Sequence, residues 1–206
     1  MKQYDFNCAR WGTHNLIAEE IGSRRKVLDV GCNKGYLKKL STDNIFYGID
    51  NDLPDLNIAK KQGYEKIFQL DLNDFEKFEI GEKFDVIIFA DILEHLIYPE
   101  KVLKYFTDNF LDENGTILIS LPNVANFVTR INLLTGNFNY SDSGILDRTH
   151  LHLYTLKTAR QLTRNCGLTI YKEKFSSNNF GSVIKKITIL GSLLGYNIIL
   201  ACKKKS

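Results

Sequence analysis

The sequence predicts an α/β fold in which a mostly parallel sheet carries helices on both faces. Three observations lead there. Short apolar runs alternate with helix-like segments through the first two thirds of the chain. One of those runs, FDVIIFA at 84–90, is apolar enough to be buried on both faces at the sheet centre. A glycine-containing turn joins the first run to the first helical segment behind it, as parallel strands with helical crossovers require.

In chain order, a helix is expected over 8–22, then Val27 to Val30 as a buried strand and Tyr36 to Leu40 as a helix start. Ile45 to Asp50 reads as a second strand, Asp55 to Gln62 as a helix stopped by Gly63, and Lys66 to Leu72 as a third strand. Pro99 opens a helix, where its missing N–H costs nothing, and Val102, Leu103, Phe106 and Phe110 make its apolar stripe. Asn114-Gly115 turns the chain into a fifth strand, Thr116 to Leu121. Val124 to Leu134 has the composition of a helix. The stretch 135–149 (TGNFNYSDSGILDRT) is polar, aromatic and irregular, and a long insertion of that kind is more often functional than idle. A helix over Leu156 to Cys166 closes at Gly167. Strands over Leu168 to Phe175 and Tyr196 to Lys203 flank a partly amphipathic helix expected at 181–194.

At 206 residues the chain fits one domain, with a cofactor half at 25–122, an insertion at about 123–154 and closing elements at 155–206. A formal charge of +3, with its clearest basic cluster in the tail Lys203-Lys204-Lys205, gives no reason to expect a nucleic-acid partner. The cysteines at 8, 32, 166 and 202 form no C-x-x-C pair, which excludes a zinc finger and points to reduced thiols in the cytoplasm. The longest apolar stretch, 187–201, is broken by Thr188, Ser192 and Asn197, so no membrane span is expected.

The loop Asp29-Val30-Gly31-Cys32-Asn33-Lys34-Gly35 lies where open α/β sheets bind ligands, beyond the carboxyl end of a strand. A dinucleotide loop would read G-x-G-x-x-G. Counted from Gly31, its second and third glycines fall on Asn33 and Tyr36, and a tyrosine in the third place opposes tight packing under a pyrophosphate. What remains is G-x-x-x-G preceded by an acid, suited to a ligand with a cationic sulfonium and an amino-acid end. An ordinary strand-to-helix turn is the plain alternative. Asp50 then ends the second strand, where a carboxylate offers two acceptor oxygens to the vicinal diol of a ribose. Asp71 ends the third strand beside Leu72, whose backbone N–H and side chain suit an adenine, although Asp is also a common turn former.

Taken as a set, VLDVGCNKG, IFYGIDND, QLDLND and FDVIIFADILEHL resemble the class I S-adenosylmethionine-dependent methyltransferases over roughly residues 25–175. The resemblance implies a Rossmann-like, seven-stranded sheet with an antiparallel last strand. It implies S-adenosyl-L-methionine as cofactor and S-adenosyl-L-homocysteine as product. Asp29, Gly31 and Gly35 would hold the methionine end, Asp50 the ribose, and Asp71 with Leu72 the adenine. Ala90 and Asp91 would lie near the sulfur, with Cys32, Asn33, Asn51 and His95 also lining the cofactor. Asn33 departs from the glycine found in many members, and its side chain tolerates unusual backbone angles.

DILEHL (91–96) and GILDRTHLHLYT (144–155) are similar to signatures of a subset that includes ubiquinone, MetW-like and polysaccharide-cluster methyltransferases. Glu94 is either a helix-start acid or a site residue. Asp147, Arg148, His150 and His152 crowd a carboxylate, a forked donor and two imidazoles together, with Phe138 and Tyr140 as apolar walls for an acceptor. If 149–154 is extended, His150 and His152 point the same way. The pair lacks an evident third ligand, so no metal site is expected. Removing a proton from a hydroxyl acceptor suits a histidine, with His150 the first choice, His95 the second and His152 the third. Three function classes follow: an O-methyltransferase acting on a small-molecule or glycan acceptor, a cofactor-binding regulatory partner of MetW-like type, and a nicotinamide oxidoreductase, which Asn33 and Tyr36 disfavour.

Overall fold

The computed structural model describes residues 9–177, 181 and 190–205. Among them, seven strands form one sheet in the order β3-β2-β1-β4-β5-β7-β6. The strands are β1 (Lys26–Val30), β2 (Ile45–Asp50), β3 (Lys66–Gln69), β4 (Phe84–Ala90), β5 (Leu111–Pro122), β6 (Leu168–Phe175) and β7 (Asn197–Lys204). The first five run parallel, and β7 is antiparallel to both β5 and β6. The α-helices with described bounds are α1 (Thr13–Ile21), α2 (Tyr36–Leu40), α3 (Leu53–Lys61), α4 (Pro99–Phe110), α5 (Phe127–Leu134), α6 (Leu156–Asn165) and α7 (Gly191–Leu194).

Alternation along the strands builds two cores. Leu28, Val30, Ile87, Phe89, Ile117 and Ile119 face α4 and α6 and pack on Val102, Leu103, Phe106 and Leu162. Val27, Val86, Ile88 and Leu118 point the other way, under Leu16 and Ile17 of α1, Leu37 of α2 and Leu56 of α3. Asp29 falls on this second face, two residues on from Val27, and its surroundings follow from that placement.

Local differences from the sequence reading have physical causes. Helix α3 starts at Leu53, earlier than expected, because Asp52 caps it by accepting from the Asp55 N–H at 3.0 Å, with Pro54 in the first turn. β3 stops at Gln69, since Asp71 accepts from Asn73 N–H and caps a short 3-10 helix, Leu72–Lys77. β5 begins at Leu111, and the Asn114-Gly115 turn is absorbed as an irregularity: Phe84 pairs with Leu111 but Val86 pairs with Thr116. α5 covers the second part of the expected 124–134 helix, started by Asn126, whose side chain accepts from Val128 N–H. The first residue of the expected 8–22 helix and most of the 181–194 helix lie outside the described residues.

Candidate functional site

The strand-to-helix loop is held from behind by the neighbouring strand. Gly31 and Cys32 N–H both donate to the Ile49 carbonyl, at 2.8 and 2.9 Å. Asp50, at the end of β2, accepts from Asn33 N–H at 2.8 Å through one oxygen and from Asp52 N–H at 3.0 Å through the other. Gly31, Asn33 and Gly35 all have left-handed backbones, with φ of 78°, 46° and 76°. A side chain at Gly31 would run into Ile92, and one at Gly35 into Tyr64 and the Ala59 backbone. The glycines therefore let the loop sit directly on the segment after β4 and on α3. Cys32 turns its thiol inward over Gly48 and is buried, which leaves only its backbone facing the loop.

Asp29 is buried, and its carboxylate accepts from the Tyr64 hydroxyl at 2.6 Å. Burial raises its pKa to about 7, against the opposing pull of that hydrogen bond, and the charge on Asp50 pushes it the same way as burial. The sign for stability follows. The folded chain keeps this proton up to about 7, whereas the unfolded chain releases it near 3.8, so the contribution is complete below about pH 4 and is lost as pH rises towards 7. Asp29→Asn keeps an acceptor for Tyr64 and removes the titration. It is expected to melt higher than the parent at pH 8, by roughly 1–3 kcal/mol of stability, and to converge with it near pH 4. Parallel thermal melts across that range test this, and equal melts at pH 8 would refute it.

The strand-end acid Asp71 is exposed and already serves as a cap, with its Oδ1 accepting from both Asn73 N–H and Asn73 Nδ2. Leu72 beside it is buried and Asn51 is exposed. Asp91, just past β4, has φ of 51°, a conformation a non-glycine residue keeps only when its surroundings force it. Its N–H donates to Ser120 Oγ at 3.0 Å, and its Oδ1 accepts from Ser120 Oγ at 2.7 Å and from Asn197 Nδ2 at 2.6 Å. Ser120, Asn197 and Tyr64 were invisible to sequence reasoning, because each acts across 29 or more residues. His14 of α1 reaches the same region: its ring meets Tyr36 edge-on at 6.0 Å, and burial lowers its pKa while Asp91 raises it. No spacing pattern in the sequence signals it.

The insertion folds back over the strand ends. The Glu94 carbonyl accepts from Leu151 and His152 N–H, at 2.8 and 3.1 Å. His95 and His150 come together with ring centroids 4.8 Å apart. His150 Nδ1 lies 3.1 Å from the Ile145 carbonyl, and His95 Nδ1 lies 3.2 Å from the Thr149 carbonyl. A carbonyl only accepts, so in each neutral ring Nδ1 carries the proton and Nε2 keeps its lone pair. Burial lowers the His95 pKa, and His150 adds to that. Glu94 is fully buried, its Oε1 is 4.0 Å from His150 Nε2, and neither carboxyl oxygen meets a hydrogen-bond partner among the described residues. Burial first, and then the charge of Asp91, hold its carboxyl well above the usual range.

Candidate donor atoms of Glu94, His95 and His150 lie within 4.8 Å of one another, so the structure sets a carboxylate beside the two imidazoles that the sequence does not bring together. His152 does not join them. The His150 N–H donates to the Asp147 carbonyl, which makes a turn at the start of 149–154, so the condition for His150 and His152 to point the same way is not met there, and His152 packs beside Tyr154 at 6.3 Å. Asp147 is buried and accepts from Thr149 N–H and Oγ1, while Arg148 faces Asp142 at 3.4 Å on the surface. Phe138 and Tyr140 pack edge-on against each other, 5.8 Å apart and 40% and 47% exposed.

Comparison with known proteins agrees with this geometry. A ubiquinone biosynthesis O-methyltransferase of Pasteurella multocida is 33% identical over 114 residues, 48% of this chain and 47% of that protein. Its counterpart in Glaesserella parasuis is 31% identical over 109 residues, 48% of this chain and 46% of that protein. The chain thus matches about half the length of these curated relatives. The solved magnesium protoporphyrin IX methyltransferase of Synechocystis, with bound S-adenosylhomocysteine, shares the fold at a TM-score of 0.66 and 16% identity, over 99% of this chain and 90% of that one. An S-adenosylmethionine-dependent methyltransferase of Archaeoglobus fulgidus does so at 0.63 and 18%, over 94% and 95%. The family model described as a methyltransferase domain matches residues 7–173, most of the chain, and the protein belongs to that family.

Proposed function

We propose that the chain works as one S-adenosylmethionine-dependent methyltransferase domain that methylates a hydroxyl of a small-molecule or sugar acceptor. The observation that carries this reading is the pair of imidazoles, His95 and His150, each with Nδ1 against a backbone carbonyl and Nε2 left to accept a proton. His95 sits just past β4, close behind Ile92, which packs against Gly31 of the loop, and the returning insertion brings His150 against it.

The residues present fit the cofactor. Asp29 and Asp50 stand behind the loop, with Asp52 and Asp55 at the start of α3, an electrostatic setting that favours a sulfonium and an ammonium over a pyrophosphate. Asp50 uses one lone pair of each oxygen on the backbone and has others for a ribose diol. When bound, S-adenosylmethionine would supply an electrophilic methyl on its sulfonium, leaving S-adenosylhomocysteine after transfer to the acceptor oxygen. The chain's part is to hold the acceptor hydroxyl near that methyl, exclude water and take the proton at His150 Nε2, with His95 beside it.

The same cluster supports a second reading. Two imidazoles and a carboxylate with both oxygens unpartnered make a donor set for a divalent cation, which would lower the pKa of a bound hydroxyl. The relatives named for ubiquinone biosynthesis favour phenolic acceptors, and the resemblance to polysaccharide-cluster enzymes favours sugars. A methyl-transfer assay on phenols and sugars, run beside calorimetry with S-adenosylhomocysteine and with NAD, tests the proposal. Binding of S-adenosylhomocysteine with turnover on one acceptor class is expected. Binding without turnover on any acceptor would shift the reading to a regulatory partner, and binding of NAD alone would overturn it.

A further inference from the structure

Helix α5 turns its apolar side to solvent. Thr129 is its one buried residue and Leu133, beside it on the helix, is 58% exposed, while Phe127, Val128, Ile131 and Leu134 are 48%, 61%, 45% and 82% exposed. At about 100° per residue these four fall within one arc of roughly 120°, on the opposite side of the helix from Thr129. The arrangement inverts what a core-facing helix needs, and it is the pattern of a helix that lies in an interface. The base of α5 is fixed. Asn123 Nδ2 donates to the Ser192 and Gly195 carbonyls at 3.0 Å, and Asn126 Nδ2 donates to the Gly195 carbonyl at 2.9 Å. The apolar side is therefore presented by a held element.

A basic groove of about 420 Å³ runs beside it, between α5 and the start of α6, lined by Arg130, Lys157, Arg160 and Arg164. Arg160 is committed to Glu173 through a two-pronged contact at 2.6 and 2.7 Å. Arg130 keeps its Nε on the Ala125 carbonyl at 2.6 Å, which leaves the other guanidinium nitrogens over the groove. Among the described residues, no acidic side chain lines the groove. Apolar side chains flanked by cations match an anionic bilayer, with the aliphatic and aromatic groups among the acyl chains and the Arg and Lys heads at the phosphates. A second copy of the chain would set these like charges against each other.

We propose that α5 and this basic groove dock the protein on the surface of an anionic lipid membrane, without crossing it; among the described residues no helix is long and apolar enough to span a bilayer. The inference stands apart from the proposed chemistry, because its readout is binding and not turnover. Docking also brings the insertion that delivers His150 to the lipid surface.

The test is co-sedimentation of the full chain with vesicles of phosphatidylcholine alone and of phosphatidylcholine with an equal part of phosphatidylglycerol. Pelleting with the anionic vesicles, and its loss in high salt, are expected. The double substitution Ile131→Asp with Leu134→Asp is expected to lower partitioning at least about tenfold. Lys157→Glu with Arg164→Glu is expected to lower it by roughly fivefold or more per site. Unchanged affinity for S-adenosylhomocysteine and unchanged circular dichroism would show that the variants fold. If the aspartate pair fails to fold, Val128→Ser with Leu134→Ser takes its place. Absence of pelleting, indifference to lipid charge, or undiminished binding by the apolar variants would overturn the proposal. So would a stable dimer that the apolar substitutions dissociate while vesicle binding is absent.

Discussion

Asp50→Ala is expected to weaken S-adenosylhomocysteine binding about a hundredfold, because the two backbone bonds it makes are charge-assisted and each is worth roughly 1.5 kcal/mol or more. Its carboxylate holds the Asn33 N–H at 2.8 Å and the Asp52 N–H at 3.0 Å, so its removal frees the left-handed turn at Asn33 and the cap of α3 together. Loss of the diol acceptor adds to this. Asp71→Ala makes the useful comparison. Asp71 is exposed and caps its own 3-10 helix, so a drop of less than about tenfold is expected there. Calorimetric titration of both variants reads the order directly. An Asp50→Ala protein that binds within about threefold of the parent would remove Asp50 from the cradle.

Much of the fold was legible because it depends on short-range pattern. Val27 to Val30, Ile45 to Asp50 and FDVIIFA carry their burial in composition, and Pro99 and Gly167 mark helix ends by backbone restriction alone. The glycine loop was legible as a strand-to-helix turn for the same reason. The function assigned to individual acids was less so, since one face of a strand looks like another until the helices above it are placed. Asp29 was read as an acid for the methionine end of a cofactor, and its partner Tyr64, 35 residues away, could not be read from the loop because it depends on Asp29 sharing the Val27 face. His150 and His95 were each chosen singly. Their convergence on Glu94 depends on the insertion returning across 54 residues, which no local spacing encodes. The orientation of His152 was not legible because a period-of-two argument holds only in a strand, and the Asp147–His150 hydrogen bond makes the start of that segment a turn. The exposed apolar side of α5 was hidden for a related reason: an amphipathic pattern shows that a helix has two sides without showing which one meets the core.

His150→Ala is expected to lower kcat by roughly a hundred- to ten-thousand-fold, the range seen when a positioned proton acceptor is removed. Its affinity for S-adenosylhomocysteine should stay within about threefold of the parent, because His150 belongs to the returning insertion and not to the loop held by β2. His152→Ala, which alters a ring packed on Tyr154, is expected to keep kcat within about threefold, and this contrast carries the assignment. Glu94→Gln separates the two ways in which His150 can act. Glu94 is fully buried and no hydrogen-bond partner meets its carboxyl oxygens, so an amide of the same shape replaces an uncharged acid at little cost when the imidazole takes the proton directly. If the cluster instead holds a divalent cation, the amide removes the one anionic ligand of the three, and both Glu94→Gln and a chelator should reproduce the His150→Ala loss. Steady-state turnover of the three variants, with and without chelator, therefore fixes which role the imidazoles play. Full turnover by His150→Ala in either condition would leave the cluster a structural tie between the insertion and the sheet.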